Sequence, residues 1–124
     1  VSVLLIEIDV YRELKEDQGD EQAAQLAYKV AQMIRSVLHD VKHKAYFGEG
    51  MFAVLFTGEE LLDANIARLW LDDQFQHLLL HRPRREGALH TRLRYGQAEC
   101  SVQGMEATKL LSMAKQNLDE NKQQ

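Results

Sequence analysis

The sequence has little cysteine, little proline and no excess of positive charge. Its single cysteine, Cys100, excludes an internal disulfide, offers no metal-ligand spacing and fits a reducing cytoplasm. The only proline, Pro83, breaks a helical pattern within the three-arginine stretch His81–Gly87. We interpret this stretch as a solvated loop, and the alternative is a binding site for a phosphate or an acidic partner. The formal net charge of -4 argues against a nucleic-acid partner, because binding a phosphate backbone needs a concentrated basic face.

Long apolar runs are also missing. Val1–Ile6 is too short to span a bilayer and lacks the basic start of a signal peptide, so we predict no membrane segment here. The 124 residues suffice for one domain with one core. Because the chain starts in a strand pattern at Val1 without methionine, we expect 1–124 to be a single domain of a longer, multidomain protein.

The apolar spacing predicts a β-α-β-β-α-β order. The hairpin at its centre comes from the strand-like runs Ala45–Phe47 and Met51–Phe56, which flank the paired glycines of Gly48-Glu49-Gly50. Such an order is typical of a ferredoxin-like α+β fold, with a mixed, mainly antiparallel sheet of about five strands and helices on both faces. The other predicted elements are the strand Ser2–Asp9, short helical turns in Val10–Gln18, a long helix from Asp20, a helix starting near Gly58, the strand Thr91–Ser101 and a last helix, Met105–Asn121.

Two residues of these elements carry specific expectations. The helical spacing places Trp70 on the core face of the third helix, beside Ala67, Leu71 and Phe75. Gly96 interrupts the last strand, which indicates a bulge or a point of close approach.

Acidic residues at the end of the first strand are the first candidates for chemistry. Side chains alternate along a strand, so Glu7 and Asp9 lie on opposite faces and only one can point into a given site. A second magnesium ligand would have to come from the hairpin, where Glu49 is the only candidate. The five histidines show no metal-ligand motif, so we predict neither a metal site nor a cofactor.

The residues in this order resemble a GGDEF domain, the diguanylate cyclase family, over essentially the whole chain. The run LLIEIDVYRELKEDQGDEQAAQ resembles the family's strand with its D-x-D-x-F-K pattern and the following helix, and AYFGEGMF resembles the signature hairpin. Gly48, Glu49, Gly50, Met51 and Phe52 occupy the five places of G-G-[DE]-E-F. The resemblance implies joining two GTP molecules into cyclic di-GMP, with a divalent metal, in a dimer.

The departures from the family pattern fall on the residues to which that activity is attributed. Glu7 stands where the first metal-binding aspartate is expected, and Gly50 and Met51 replace the two acids of the signature. Lys15 and Ala24 stand where an asparagine and an aspartate read guanine. Only two matches, Arg12 and Lys122, keep positive charge at positions that contact phosphate.

The family's inhibitory R-x-x-D motif, which binds cyclic di-GMP, is absent as well, since His39-Asp40-Val41-Lys42 stands in its place. The resemblance therefore predicts a catalytically inactive, degenerate member. We expect a regulatory or dimerisation domain in bacterial cyclic-di-GMP-related signalling, located in the cytoplasm or on the cytoplasmic side of a membrane-anchored protein. Its expected partner is a protein, a second copy or a neighbouring domain. The alternatives are a nucleotide or cyclic-di-GMP receptor without turnover, with weak nucleotide binding, and, less favoured, an active cyclase.

Overall fold

A computed structural model describes residues 2–80, 91–99 and 107–122, which form four strands and four helices. The predicted loop His81–Gly87 and Cys100 lie outside these residues. The elements are β1 (Ser2–Ile8), α1 (Tyr11–Gln18), α2 (Asp20–Val37), β2 (His43–Gly48), β3 (Met51–Phe56), α3 (Ala64–Leu80), β4 (Leu93–Glu99) and α4 (Ala107–Lys122).

The described strands make one sheet in the order β2-β3-β1-β4, and every neighbouring pair is antiparallel. This is the predicted ferredoxin-like arrangement, with four strands among the described residues. β1 is central because it is apolar on both faces, with Val3, Leu4, Leu5 and Ile6 all buried.

Helices cover both faces of the sheet, as expected. Alternate residues of β1, such as Leu4 and Ile6, pack with buried side chains of α1, α2 and α3. The intervening residues Val3 and Leu5 pack with Ala114 and Leu118 of α4. Period-two alternation therefore divides the apolar side chains into a large core beneath α1–α3 and a smaller one beneath α4.

Three predictions need correction. β2 starts at His43 rather than Ala45, and a bulge lies between Tyr46 and Gly48. α3 starts at Ala64 rather than near Gly58, because Asp63 accepts a hydrogen bond from the N–H of Ile66 at 2.8 Å.

Trp70 was assigned to the core and is instead 54% exposed. It lines an open groove of about 1010 Å³ between α2 and α3, while Ala67, Leu71 and Phe75 are buried as predicted. The buried stripe of α3 is therefore narrower than the stripe of apolar residues in its sequence. Among the described helices, none is long and apolar enough to cross a membrane.

Candidate functional site

The end of β1, the start of α1 and the β2–β3 turn meet around a cleft of about 730 Å³. The turn has positive φ at Glu49 (53°) and Gly50 (75°), as a two-residue type I′ hairpin requires. Its position against β1 is fixed by the hydrogen bond from the N–H of Ile8 to the carbonyl of Gly50, at 2.9 Å. The N–H of Gly50 donates to the Tyr46 hydroxyl at 3.1 Å. The signature turn is therefore held by main-chain bonds and one tyrosine.

The side-chain space at Gly50 is already filled. A Cβ atom built there would lie 2.8 Å from Cγ of Tyr11, closer than real side chains approach. Gly48, which also has a positive φ, has nothing within 4 Å of such an atom. In this structure the ring of Tyr11 therefore packs directly behind Gly50.

An ion pair links the two walls of this cleft. Lys15 Nζ of α1 lies 3.1 Å from Oε1 of Glu49 in the turn. The hydrogen bond and negative charge of Glu49 raise the pKa of Lys15, so the ammonium is the form that this contact favours. The residue in the guanine-reading place and the acid in the second glycine place therefore bind each other.

Asp9 is also engaged within the protein. Its carboxylate lies 3.0 Å from Nε of Arg94 and 3.7 Å from Nε of Arg92, and it accepts a hydrogen bond from the N–H of Val10. The contact with Arg94 Nε is close but not aligned as a hydrogen bond, whereas Nη1 of Arg94 donates to the carbonyl of Asn121 at 3.1 Å. Asp9 is thereby joined to β4 and, through Arg94, to α4.

The predicted site residues are only partly brought together. Glu7 lies directly opposite Met51 on β3 and Arg94 on β4, so this acid is flanked by a thioether and a cation. Arg12 is exposed at the cleft, whereas Phe52 is buried and packs against Tyr46 with the two rings tilted by 36° and their centroids 4.7 Å apart. Lys122 ends α4, and its side chain is outside the described part of the structure.

These residues do not fit a divalent metal. Among the described residues, no group of three or more acidic, histidine or cysteine side chains is arranged to hold one. Asp9 is paired with arginines, and Gly50 and Met51 offer no oxygen ligand from a side chain. The third and fourth places of the signature turn therefore contribute no side-chain oxygen to the cleft.

Sequence reasoning missed three residues that build the cleft: Tyr11, Tyr46 and Arg94. Tyr11 falls at the aromatic place of the D-x-D-x-F-K pattern, so its position was readable, but its contact with Gly50 was not. Tyr46 and Arg94 had no sequence signal, because their roles depend on how strands pair.

The family model for the GGDEF domain of diguanylate cyclases matches residues 1–124. The chain belongs to the GGDEF domain family. A comparison with curated protein sequences gives no significant match.

Solved GGDEF structures share this fold at low sequence identity. The active GGEEF domain of a diguanylate cyclase from Vibrio cholerae is 19% identical, with a TM-score of 0.74, over 98% of this chain and 76% of that one. The GGDEF domain of DgcB from Caulobacter crescentus, in complex with c-di-GMP, is 18% identical, with a TM-score of 0.76, over 98% and 71%. Diguanylate cyclase SiaD from Pseudomonas aeruginosa, in complex with its activator SiaC, is 17% identical, with a TM-score of 0.76, over 98% and 46%.

Proposed function

We propose that this GGDEF domain is catalytically inactive and serves regulation or protein interaction in bacterial cyclic-di-GMP-related signalling. The observation that carries the proposal is that neither Gly50 nor Met51 offers a side-chain oxygen in the signature turn. In the family pattern the third place supplies a metal-binding acid, and the described residues provide no group of three metal-ligating side chains in its stead. A turn without that acid lacks the electrostatic stabilisation that phosphoryl transfer requires.

The charge of the cleft supports the same proposal. Its lining includes six acids, Glu7, Asp9, Glu13, Glu16, Asp20 and Glu49, and two bases, Arg12 and Lys15. Without a bound cation, an acidic surface repels the triphosphate of GTP. One of the two bases, Lys15, is already paired with Glu49.

Guanine also lacks its expected partners. Lys15 offers only donors, and its ammonium is bound to Glu49. Ala24 is exposed on α2 and has no polar side-chain group with which to read a base. Both residues support the proposal that the cleft does not select GTP.

The receptor alternative rests mainly on Arg12, which is exposed at the cleft. At the place of the R-x-x-D motif, Asp40 accepts a hydrogen bond from the N–H of Leu61 at 3.1 Å and so serves the loop before α3. We therefore favour a protein ligand over a nucleotide. The complex of SiaD with its activator SiaC shows that a related protein has a protein partner. For this chain we propose a cytoplasmic domain whose partner is another protein, a second copy or a neighbouring domain.

The test is incubation of the purified protein with GTP and Mg²⁺ or Mn²⁺, followed by chromatography for cyclic di-GMP. A working diguanylate cyclase serves as positive control. We expect no product above the level without protein, and product above that level would overturn the proposal.

Thermal unfolding in the same samples separates an inactive receptor from a domain that does not bind nucleotide. A ligand that binds the folded state at a hundredfold excess over its Kd stabilises it by about 2.7 kcal/mol, which a melting curve detects. We expect no shift with GTP and Mg²⁺ or with cyclic di-GMP. A saturable shift that is lost in Arg12→Ala but kept in Arg35→Ala, an exposed arginine of α2, would favour the receptor.

A further inference from the structure

β2 is an edge strand whose outer side is unpaired among the described residues. It bonds only to β3, so a row of its main-chain N–H and C=O groups faces away from the sheet. The side chains along it are also accessible: Ala45 is exposed, and Tyr46 and Phe47 are 48% and 58% exposed. Two exposed aromatic residues beside free main-chain groups are suited to adding another strand.

The usual protection of such an edge is weak in the middle of β2. Edge strands are commonly protected by lysines, prolines or bulges. Here the bulge lies at the end next to the turn, and the ammonium of Lys44 is turned away to donate to the carbonyls of Leu38 and Val41, at 2.9 and 2.6 Å. The centre of the strand, at Ala45 and Tyr46, is left without a charged group that would hinder an approaching strand.

The charges of β2 are divided between its ends. Lys42 and His43 are exposed where the strand begins. Glu49, which is exposed and pairs with Lys15 of its own chain, lies in the turn that follows it. Antiparallel pairing places the beginning of one strand beside the end of the other. A strand that is basic at its start and acidic at its end is therefore complementary to a reversed copy of itself.

A two-fold axis through Ala45 gives this pairing a register. In an antiparallel pair, two residues that stand opposite each other point to the same face of the sheet. A two-fold axis normal to the sheet leaves each side chain on its own face. The residue at the axis must therefore stand opposite its own copy. With Ala45 at the axis, Lys44 stands opposite Tyr46 of the second copy. Counted residue by residue, without the bulge between Tyr46 and Gly48, Lys42 then faces Gly48 of the other copy, next to Glu49.

We propose that β2 is the contact between two copies of this chain, which join their sheets edge to edge through antiparallel β2 strands. This dimer deepens the proposed interaction role by naming its surface and partner. It needs no nucleotide, and of its named residues it shares only Glu49 with the cleft. The activity test and the association test can therefore fail separately.

Sedimentation velocity from micromolar to millimolar protein tests association. We expect a concentration-dependent shift to twice the monomer mass, and we expect Ala45→Asp, which opposes two like charges at the axis, to shift back to the monomer. The control is Gln25→Asp, at an exposed residue of α2, which should dimerise like the parent.

Cross-linking tests the register. In a Cys100→Ser background, Ala45→Cys should give a covalent dimer after mild oxidation, and Ala24→Cys should not, because only the first position lies at the axis. Melting curves check that each variant is folded.

A parent chain that stays monomeric overturns the proposal and leaves the edge of β2 to a strand of another protein. A dimer that persists in Ala45→Asp and gives no disulfide in Ala45→Cys also overturns it, because its contact then lies elsewhere.

Discussion

Tyr11 packs directly behind the hairpin turn although it lies outside the five signature residues. Its ring excludes a side chain at Gly50, and its neighbour Tyr46 binds the Gly50 amide. Gly50 is thus favoured both by its positive φ and by the ring behind it.

Two glycine substitutions separate these requirements. Gly48→Ala adds only the strain of an alanine at positive φ, since its methyl group has open space around it. We expect it to lower the free energy of unfolding by about 1 kcal/mol. Gly50→Ala meets similar strain and also the ring of Tyr11, so it should cost roughly 1–3 kcal/mol more. Urea denaturation measures both values.

A double variant identifies the ring as the cause. In a Tyr11→Ala background, the additional cost of Gly50→Ala should disappear, because the volume behind the turn is then empty. Equal costs at Gly48 and Gly50 in the parent chain would show that Tyr11 moves aside freely.

At the scale of elements, the fit of α4 to the sheet depends on Gly96. It pairs with Leu5 without a register shift, and a Cβ there would come within 2.5 Å of Leu118 Cβ and 2.7 Å of Leu118 N. Of the two alternatives expected at Gly96, a bulge or a close approach, the close approach is therefore confirmed. Asn117 supports the same contact, because its side-chain oxygen accepts a hydrogen bond from the N–H of Gln97 at 2.8 Å.

We expect Gly96→Ala to displace α4. The added methyl group meets main-chain atoms of the helix, which cannot rotate away, so the loss in the free energy of unfolding should be about 3 kcal/mol or more. Urea denaturation with Gly48→Ala, the same change made in open space, gives the comparison. A loss no greater than that of the control would mean that α4 shifts without cost.

At the scale of the whole molecule, buried tyrosines make stability depend on alkaline pH. Burial, followed by the effects of Tyr46, Glu49 and Asp20, raises the pKa of Tyr11 from 10.0 to about 12. Burial also raises the pKa of Tyr95, which donates a hydrogen bond to Asp72 at 2.7 Å. The folded state therefore keeps protons that the unfolded state loses.

The free energy of unfolding should consequently keep its full value below pH 10 and decrease as the pH rises towards 12. Tyr11→Phe should reduce this fall, because its side chain has no proton to lose. Urea denaturation at a series of pH values measures the slope, and Tyr28→Phe, at a tyrosine that is 63% exposed, is the control. An unchanged slope in Tyr11→Phe would show that the hydroxyl ionises at the same pH in both states.

The sequence alone determined the order of elements, the hairpin and most of the core. Apolar periodicity and paired glycines are local signals, and they placed β1, β3 and the buried face of α2 correctly. The same signals misplaced Trp70, because periodicity shows which residues of a helix are apolar but not how wide a stripe the sheet covers. They also missed the start of α3, where the competing acid Glu60 accepts hydrogen bonds from the main chain of Thr57 and Gly58 instead of beginning a helix.

The tertiary structure decided what the candidate site is made of. The sequence showed that the signature acids are replaced, but not that Tyr11 fills the space at Gly50, that Lys15 binds Glu49, or that Arg94 binds Asp9. Each pair joins residues from different elements that lie far apart along the chain. Such contacts arise from strand register and from the packing of α1 against the hairpin, and local sequence patterns do not encode those distances.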